Sequence, residues 1–355
     1  MKRLSLIGLI FAALALLAGC ATREPVLGES EKLPVVAVLP FANLTESSEA
    51  LEMLMPEICK DLGLHGIPVI SDRDMRPILR RHRIRSGGVF TGEDVEKIRE
   101  ETAAAALILG SVDFYSEGRN PELGLSLRMV DAVSLEILFM RSVSLTGADF
   151  AWIFGIGRVD SLSGLRAPLM KKLLQGLDIR SLGRDPADSS LPRGRTLAVL
   201  PFEDRSEYPF SGAIFTGILS SELFRRGYRL IDPAMLGELY VSEGRRPRGG
   251  VDLILAAGMR EEAGADWIVT GGVDRFEPST GDPLSAPDLE IHARMLDARL
   301  GRLIFMYGEE RRGSPAGQVF GFEERRSLGR LAQEAAKRIA DELTRKIEDE
   351  LETQQ

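Results

Sequence analysis

The chain has 355 residues, enough for about two ordinary domains. Apolar residues make up 44% and charged residues 28%, which excludes a disordered or collagen-like chain. Lys and Arg number 45 against 53 Asp and Glu, so nucleic acid is not an expected partner, and two cysteines form neither a disulfide framework nor a four-cysteine zinc site.

Residues 1–19 read as an address. Lys2 and Arg3 precede a mostly apolar run, Leu4 to Leu17, shorter than the roughly 20 residues of a membrane span. The run ends in Leu17-Ala18-Gly19-Cys20. A charged start, a short apolar centre and a small-residue end describe a secretory signal peptide. The ending resembles a bacterial lipobox. That resemblance implies cleavage before Cys20 and acylation of Cys20 at its sulfur and amino group, palmitate being the type of chain. Multiple acyl chains anchor stably where one alone binds marginally. Ala21 and Thr22 follow in place of an Asp, which favours the outer membrane and its periplasmic face. Residues 20–32 form a lipidated tether in this reading. No later segment reaches 18 apolar residues, so no other helical span is expected.

The first folded region is expected over 33–179. Residues 34–41 are β-branched and apolar and read as a buried strand. Ser47 or Ser48 caps a helix with Leu51, Leu54, Met55, Ile58 and Leu62 on one face, ended by Gly66. Cys59 lies on that apolar face and reads as a buried, inert thiol. Residues 67–71 form a second strand. Asp72 caps a short helix, and Thr91 caps another with Glu93 and Asp94 near its positive end. Residues 105–112 form a third strand. Leu123, Leu125, Leu127 and Met129 alternate, which predicts a half-buried strand. A turn at 131–134 returns the chain through 136–145, and a helix over 164–177 closes the region. Phe150, Trp152, Ile153 and Phe154 form an apolar cluster that is either core or a contact patch. Residues 180–194 mix Pro, Gly, Ser and charge and read as a linker.

The region 195–355 repeats the first. Val36-Ala37-Val38-Leu39-Pro40-Phe41 matches Leu197-Ala198-Val199-Leu200-Pro201-Phe202. At the same offset Gly66 pairs with Gly227, and Gly110, Val112 and Asp113 with Gly271, Val273 and Asp274. After a longer loop marked by Pro278, Pro283 and Pro287, Arg128-Met129-Val130-Asp131-Ala132 matches Arg294-Met295-Leu296-Asp297-Ala298. The order β-α-β-α-α-β-β-β-α in each copy predicts an α/β chain of two tandem repeats, each a mixed-sheet α/β sandwich.

The AVLPF strand, the strand Ala105-Ala106-Leu107-Ile108-Leu109-Gly110-Ser111-Val112 and its counterpart Gly264-Ala265-Asp266-Trp267-Ile268-Val269-Thr270-Gly271-Gly272-Val273 carry a resemblance. So does the hairpin from Asp131-Ala132 to Ile137-Leu138-Phe139, although copy one lacks the Thr-Gly of the pattern. Both copies resemble the family that includes the CsgG curli-secretion lipoprotein, the LpoB activator of peptidoglycan synthases and TolB N-terminal-like domains. The resemblance implies an envelope binding or assembly protein, and it implies this by fold rather than by a catalytic motif.

No catalytic constellation or cofactor motif stands out, so no enzyme activity, cofactor or metal is expected. His65, His82 and His292 lie in no metal-ligand spacing. Asp113, Asp274, Asp131 and Asp297 recur between copies and read as turn-forming carboxylates. The feature above background is basic. Arg76, Arg80, Arg81, His82, Arg83 and Arg85 run into Gly87-Gly88, and Arg245, Arg246 and Arg248 run into Gly249-Gly250. These loops meet either phosphates or an acidic partner, or only solvent. The expectation is a non-enzymatic lipoprotein with an envelope protein partner or self-association. The alternatives are a component of a CsgG-like secretion assembly and an LpoB-like activator. Both copies lack the long hairpins a pore needs, and the tether is short for the second alternative.

Overall fold

The computed structural model describes residues 33–85, 90–118, 120–150, 157–179, 195–242, 251–279, 285–313 and 327–353. The signal peptide, Cys20, the tether, the linker, residues 151–156 and Arg245, Arg246 and Arg248 lie outside the described residues.

The first sheet is assembled from β1 (Val36–Val38), β2 (Ala42–Asn43), β3 (Val69–Ile70), β4 (Ala106–Ser116), β5 (Glu122–Asp131) and β6 (Ile137–Thr146). β1 lies parallel between β3 and β4, β2 continues parallel along β4, and β4, β5 and β6 run antiparallel. The second sheet holds β7 (Thr196–Val199), β8 (Glu203–Asp204), β9 (Arg229–Leu230), β10 (Trp267–Glu277), β11 (Asp288–Asp297) and β12 (Arg302–Arg312) in the same order. The expected fold class is present: two six-stranded mixed sheets with helices, in one pattern used twice.

The helices are α1 (Ala50–Leu64), α2 (Asp72–Arg81), α3 (Gly92–Thr102), α4 (Leu162–Leu173), α5 (Ser211–Arg225), α6 (Pro233–Ser242), α7 (Leu253–Glu261) and α8 (Leu328–Thr353). α1 and α4 cover one face of the first sheet. α2 and α3 cover part of the other face, and α5 and α8 of the second repeat cover the rest. α5 and α8 also cover the inner face of the second sheet, so they form a layer shared by both sheets. α6 and α7 lie on the far face of the second sheet.

Local departures from expectation have local causes. β1 closes at Val38 rather than running to residue 41, because Pro40 has no N–H to give a neighbouring strand. Leu39 N still donates to Ile108 O at 2.9 Å. The first helix starts at Ala50 rather than after Ser47 or Ser48, and its cap position, Glu49, makes no side-chain cap bond. Asn43 takes up that stretch instead: its Nδ2 donates to Ser47 O at 2.7 Å and its Oδ1 accepts from Thr45 N at 3.0 Å. Ser71, not Asp72, caps α2. Thr91 caps α3 as expected and forms a capping box with Asp94. β5, expected to be half-buried, is buried on both faces, because α5 and α8 close the side that a single repeat would leave to water.

Asp131 is the turn residue the hairpin requires, its Oδ1 accepting from Val133 N and Ser134 N, both at 2.8 Å. Asp297 does the same for Arg299 N and Leu300 N. Asp113 and Asp274 are a correction, since they sit within β4 and β10 and bond side chains, not their own turns. Cys59 is only partly buried, and burial pushes its thiol pKa up. Residues 348–352, rich in Glu and Asp, belong to the end of α8, where Glu350 pairs with Lys346 at 2.8 Å.

Candidate functional site

A concavity lies where the two repeats meet. Its floor is the face of β4 and β5 around Gly110, Ser111, Ser126 and Arg128. Its opposite wall is α5, which presents Ala213, Thr216, Gly217 and Ser220. Small side chains are needed there. A Cβ on Gly217 would stand 3.3 Å from Ser126 Oγ, so a bulkier helix would be held off the sheet. The apolar lining includes Phe90, Leu109, Ile137, Met140, Val199 and Leu230, around about 350 Å³. That is at the low end of small-molecule sites.

The segment after β1 shapes the cleft. Phe41 lies flat on Gly110, where a Cβ would run into both the ring and the Ser126 carbonyl. Phe202 lies on Gly271 in the same way in the second copy. The paired Phe and Gly of the two repeats are therefore one packing unit. Pro40, Ala42 and Leu44 form a wall shared with a second, wider hollow of about 480 Å³. The wider hollow is lined by Asn43, Leu79, Ile84, Arg76, Arg80 and Phe210. Phe210 belongs to the second repeat, is 47% exposed, and has φ 61°, a left-handed conformation that costs a non-glycine residue roughly 1–2 kcal/mol.

The basic run divides in the structure. Arg80 projects from the last turn of α2 into the wider hollow and has no ion pair among the described residues. Arg76 lines the same hollow and pairs with Asp72 at 3.1 Å. Arg81 contacts Glu101, and His82 meets Glu101 Oε2 at 2.7 Å, so these two serve to fasten α2 to α3. Arg83, with φ 58°, and Arg85 are exposed beyond the helix and line neither hollow. The groove gathers Arg76 and Arg80 and leaves the others outside.

The polar groups near the floor are satisfied by one another. Asp113 accepts from Ser111 Oγ and Ser126 Oγ, each at 2.5 Å. Burial pushes its carboxyl up to about 6 despite those bonds. Arg128 Nε donates to Asp232 of the second repeat at 2.9 Å. Glu122 accepts from Ser327 Oγ at 2.5 Å and Gly329 N at 2.9 Å, both in the second repeat, and burial pushes its carboxyl up. Ser142 N donates to Ser221 Oγ at 2.8 Å, Arg229 pairs with Glu136 at 3.1 Å, and Arg330 pairs with Asp149 at 3.0 Å. Phe114 stacks on Phe276 with centroids 6.2 Å apart. The sequence reading missed this joint. Its signal was available in α5, Ser211 to Arg225, which is apolar or small nearly all round, as a helix buried on two sides must be.

The matching face of the second sheet is different. His292 Nδ1 meets Asp274 Oδ2 at 2.6 Å, Arg205 reaches Asp274 at 3.6 Å, and Arg275 reaches Glu290 at 2.9 Å. Among the described residues no three His, Cys, Asp or Glu side chains stand together as a metal site, and no described helix is long and apolar enough to cross a membrane.

No protein-family model matches the chain, and no curated protein matches it. Solved structures do. A PelC dodecamer from Paraburkholderia phytofirmans is 16% identical with a TM-score of 0.29, over 42% of this chain and 89% of that one. A lipoprotein from Neisseria meningitidis is 16% identical with a TM-score of 0.31, over 40% of this chain and 96% of that one. The LpoB C-terminal domain from Salmonella enterica is 18% identical with a TM-score of 0.27, over 41% of this chain and 93% of that one.

Proposed function

We propose that this chain is a non-enzymatic lipoprotein, held on the periplasmic face of the outer membrane by acylated Cys20, whose joined repeats serve as an envelope assembly or protein-binding module. The observation that carries the reading is the N-terminal sequence: two cationic residues, a short apolar run and Leu17-Ala18-Gly19-Cys20. The joint between the repeats supports a binding role, because it builds a permanent concave surface from rigid elements. Replacing residues 1–20 by a secretory signal that is cleaved without a cysteine is the test, since an uncleaved Leu4–Leu17 run would itself hold a Cys20→Ser chain at the membrane. The variant is expected in the soluble periplasmic fraction, folded and without palmitate label. Retention in the membrane fraction, or label that survives the replacement, would contradict the anchor.

A further inference from the structure

We propose that the groove between the repeats binds a single-chain anionic amphiphile, an aliphatic chain ending in a carboxylate or phosphate. The two hollows share Pro40, Ala42 and Leu44 in their linings, so they adjoin as an inner and an outer section. The sections differ in chemistry. The inner one is walled by Phe90, Leu109, Ile137, Met140, Val199 and Leu230. Its polar neighbours are already bonded: Ser111 and Ser126 to Asp113, and Arg128 to Asp232. A guest there finds apolar surface. A peptide would bring an N–H and a C=O with every residue, and burying them without partners is costly. An aliphatic chain brings none.

The outer section supplies charge. Arg80 has no ion pair among the described residues, and Arg76 stands one helical turn away, tied only to Asp72. A planar guanidinium without a partner at the rim of an apolar slot suits an anionic head whose tail lies inside. Phe210 of the second repeat adds an aromatic side chain to the lining of the same section. The chemistry is shared by a free alkyl carboxylate or phosphate and by a lipid still in a membrane, and the experiment below separates the two. The inference stands apart from acylation of Cys20, which supplies the anchor and not the groove.

The mature chain carrying Cys20→Ser is titrated calorimetrically with dodecyl phosphate below its micellar concentration. Saturable binding of one molecule per chain is expected, with little heat from inorganic phosphate. Arg80→Glu, an exposed substitution, should weaken binding about tenfold, the loss of one charge-assisted hydrogen bond. Met140→Trp should block the inner section, and a folded circular-dichroism spectrum identifies whether it is a fair comparison. Arg80→Glu remains decisive if it is not. Absence of saturable binding, or binding that Arg80→Glu leaves unchanged, would overturn the proposal. So would binding to anionic phospholipid vesicles alone, which would mark a surface contact in place of a groove.

Discussion

At the scale of single residues, Asp113 is held away from its ordinary state. It is buried, and burial pushes its carboxyl up to about 6, above the ordinary carboxylate range. The folded chain therefore holds a proton in a window where the unfolded chain has released it. Stability from this group is fully present below about pH 4 and is lost as pH rises through about 6, on the order of 3 kcal/mol in all. Glu122, raised by burial at the same joint, acts in the same direction. Asp113→Asn keeps an acceptor for both serines and removes the charge. Denaturant melts from pH 4 to 7 should show a shallower fall in stability for the variant. An equally steep fall would mean that Asp113 is not buried as described. The residue types alone gave no hint of this, because Asp113 reads as a turn carboxylate until β4 and β5 place Ser111 and Ser126 around it.

At the scale of elements, the two copies differ where they touch. α1 and α5 occupy equivalent places, yet α1 has Met53, Pro56, Glu57 and Lys60 where α5 has Ile214, Gly217, Ile218 and Ser221. α1 faces water on its outer side. α5 is wedged between two sheets. Ser221→Lys makes the joint resemble the free surface of α1. It would bury an unpaired ammonium beside β6 and remove the acceptor of Ser142 N, at a cost of roughly 3–5 kcal/mol. The expected readout is a large drop in melting temperature; an unchanged melt would place α5 away from the first sheet. The order of the longer strands and helices was legible in the sequence because most of them carry a periodicity and a cap or turn residue, as Thr91 and Asp131 show; the two-residue strands β2 and β8 carry neither. The joint was not, because burial of both faces of β5 depends on a helix more than 80 residues downstream. Of the basic run, the sequence could not separate Arg80, which lines the wider hollow, from Arg81, whose role is set by Glu101 on another helix.

At the scale of the whole molecule, two sheets of one strand order share the helical layer of α5 and α8. The face of the first sheet that α5 and α8 cover has its counterpart on β10, β11 and β12, where Leu303 and Met306 are 50% and 65% exposed, Arg275 pairs with Glu290 and His292 with Asp274. The chain thus has a joined core, a groove at the joint and one charged outer face. The most direct test is the intact mass of the species extracted from membranes in mild detergent. The account predicts a chain that begins at acylated Cys20 and travels in a complex of fixed stoichiometry with another envelope protein or with itself. A lone chain that carries no acyl mass and no partner would contradict it.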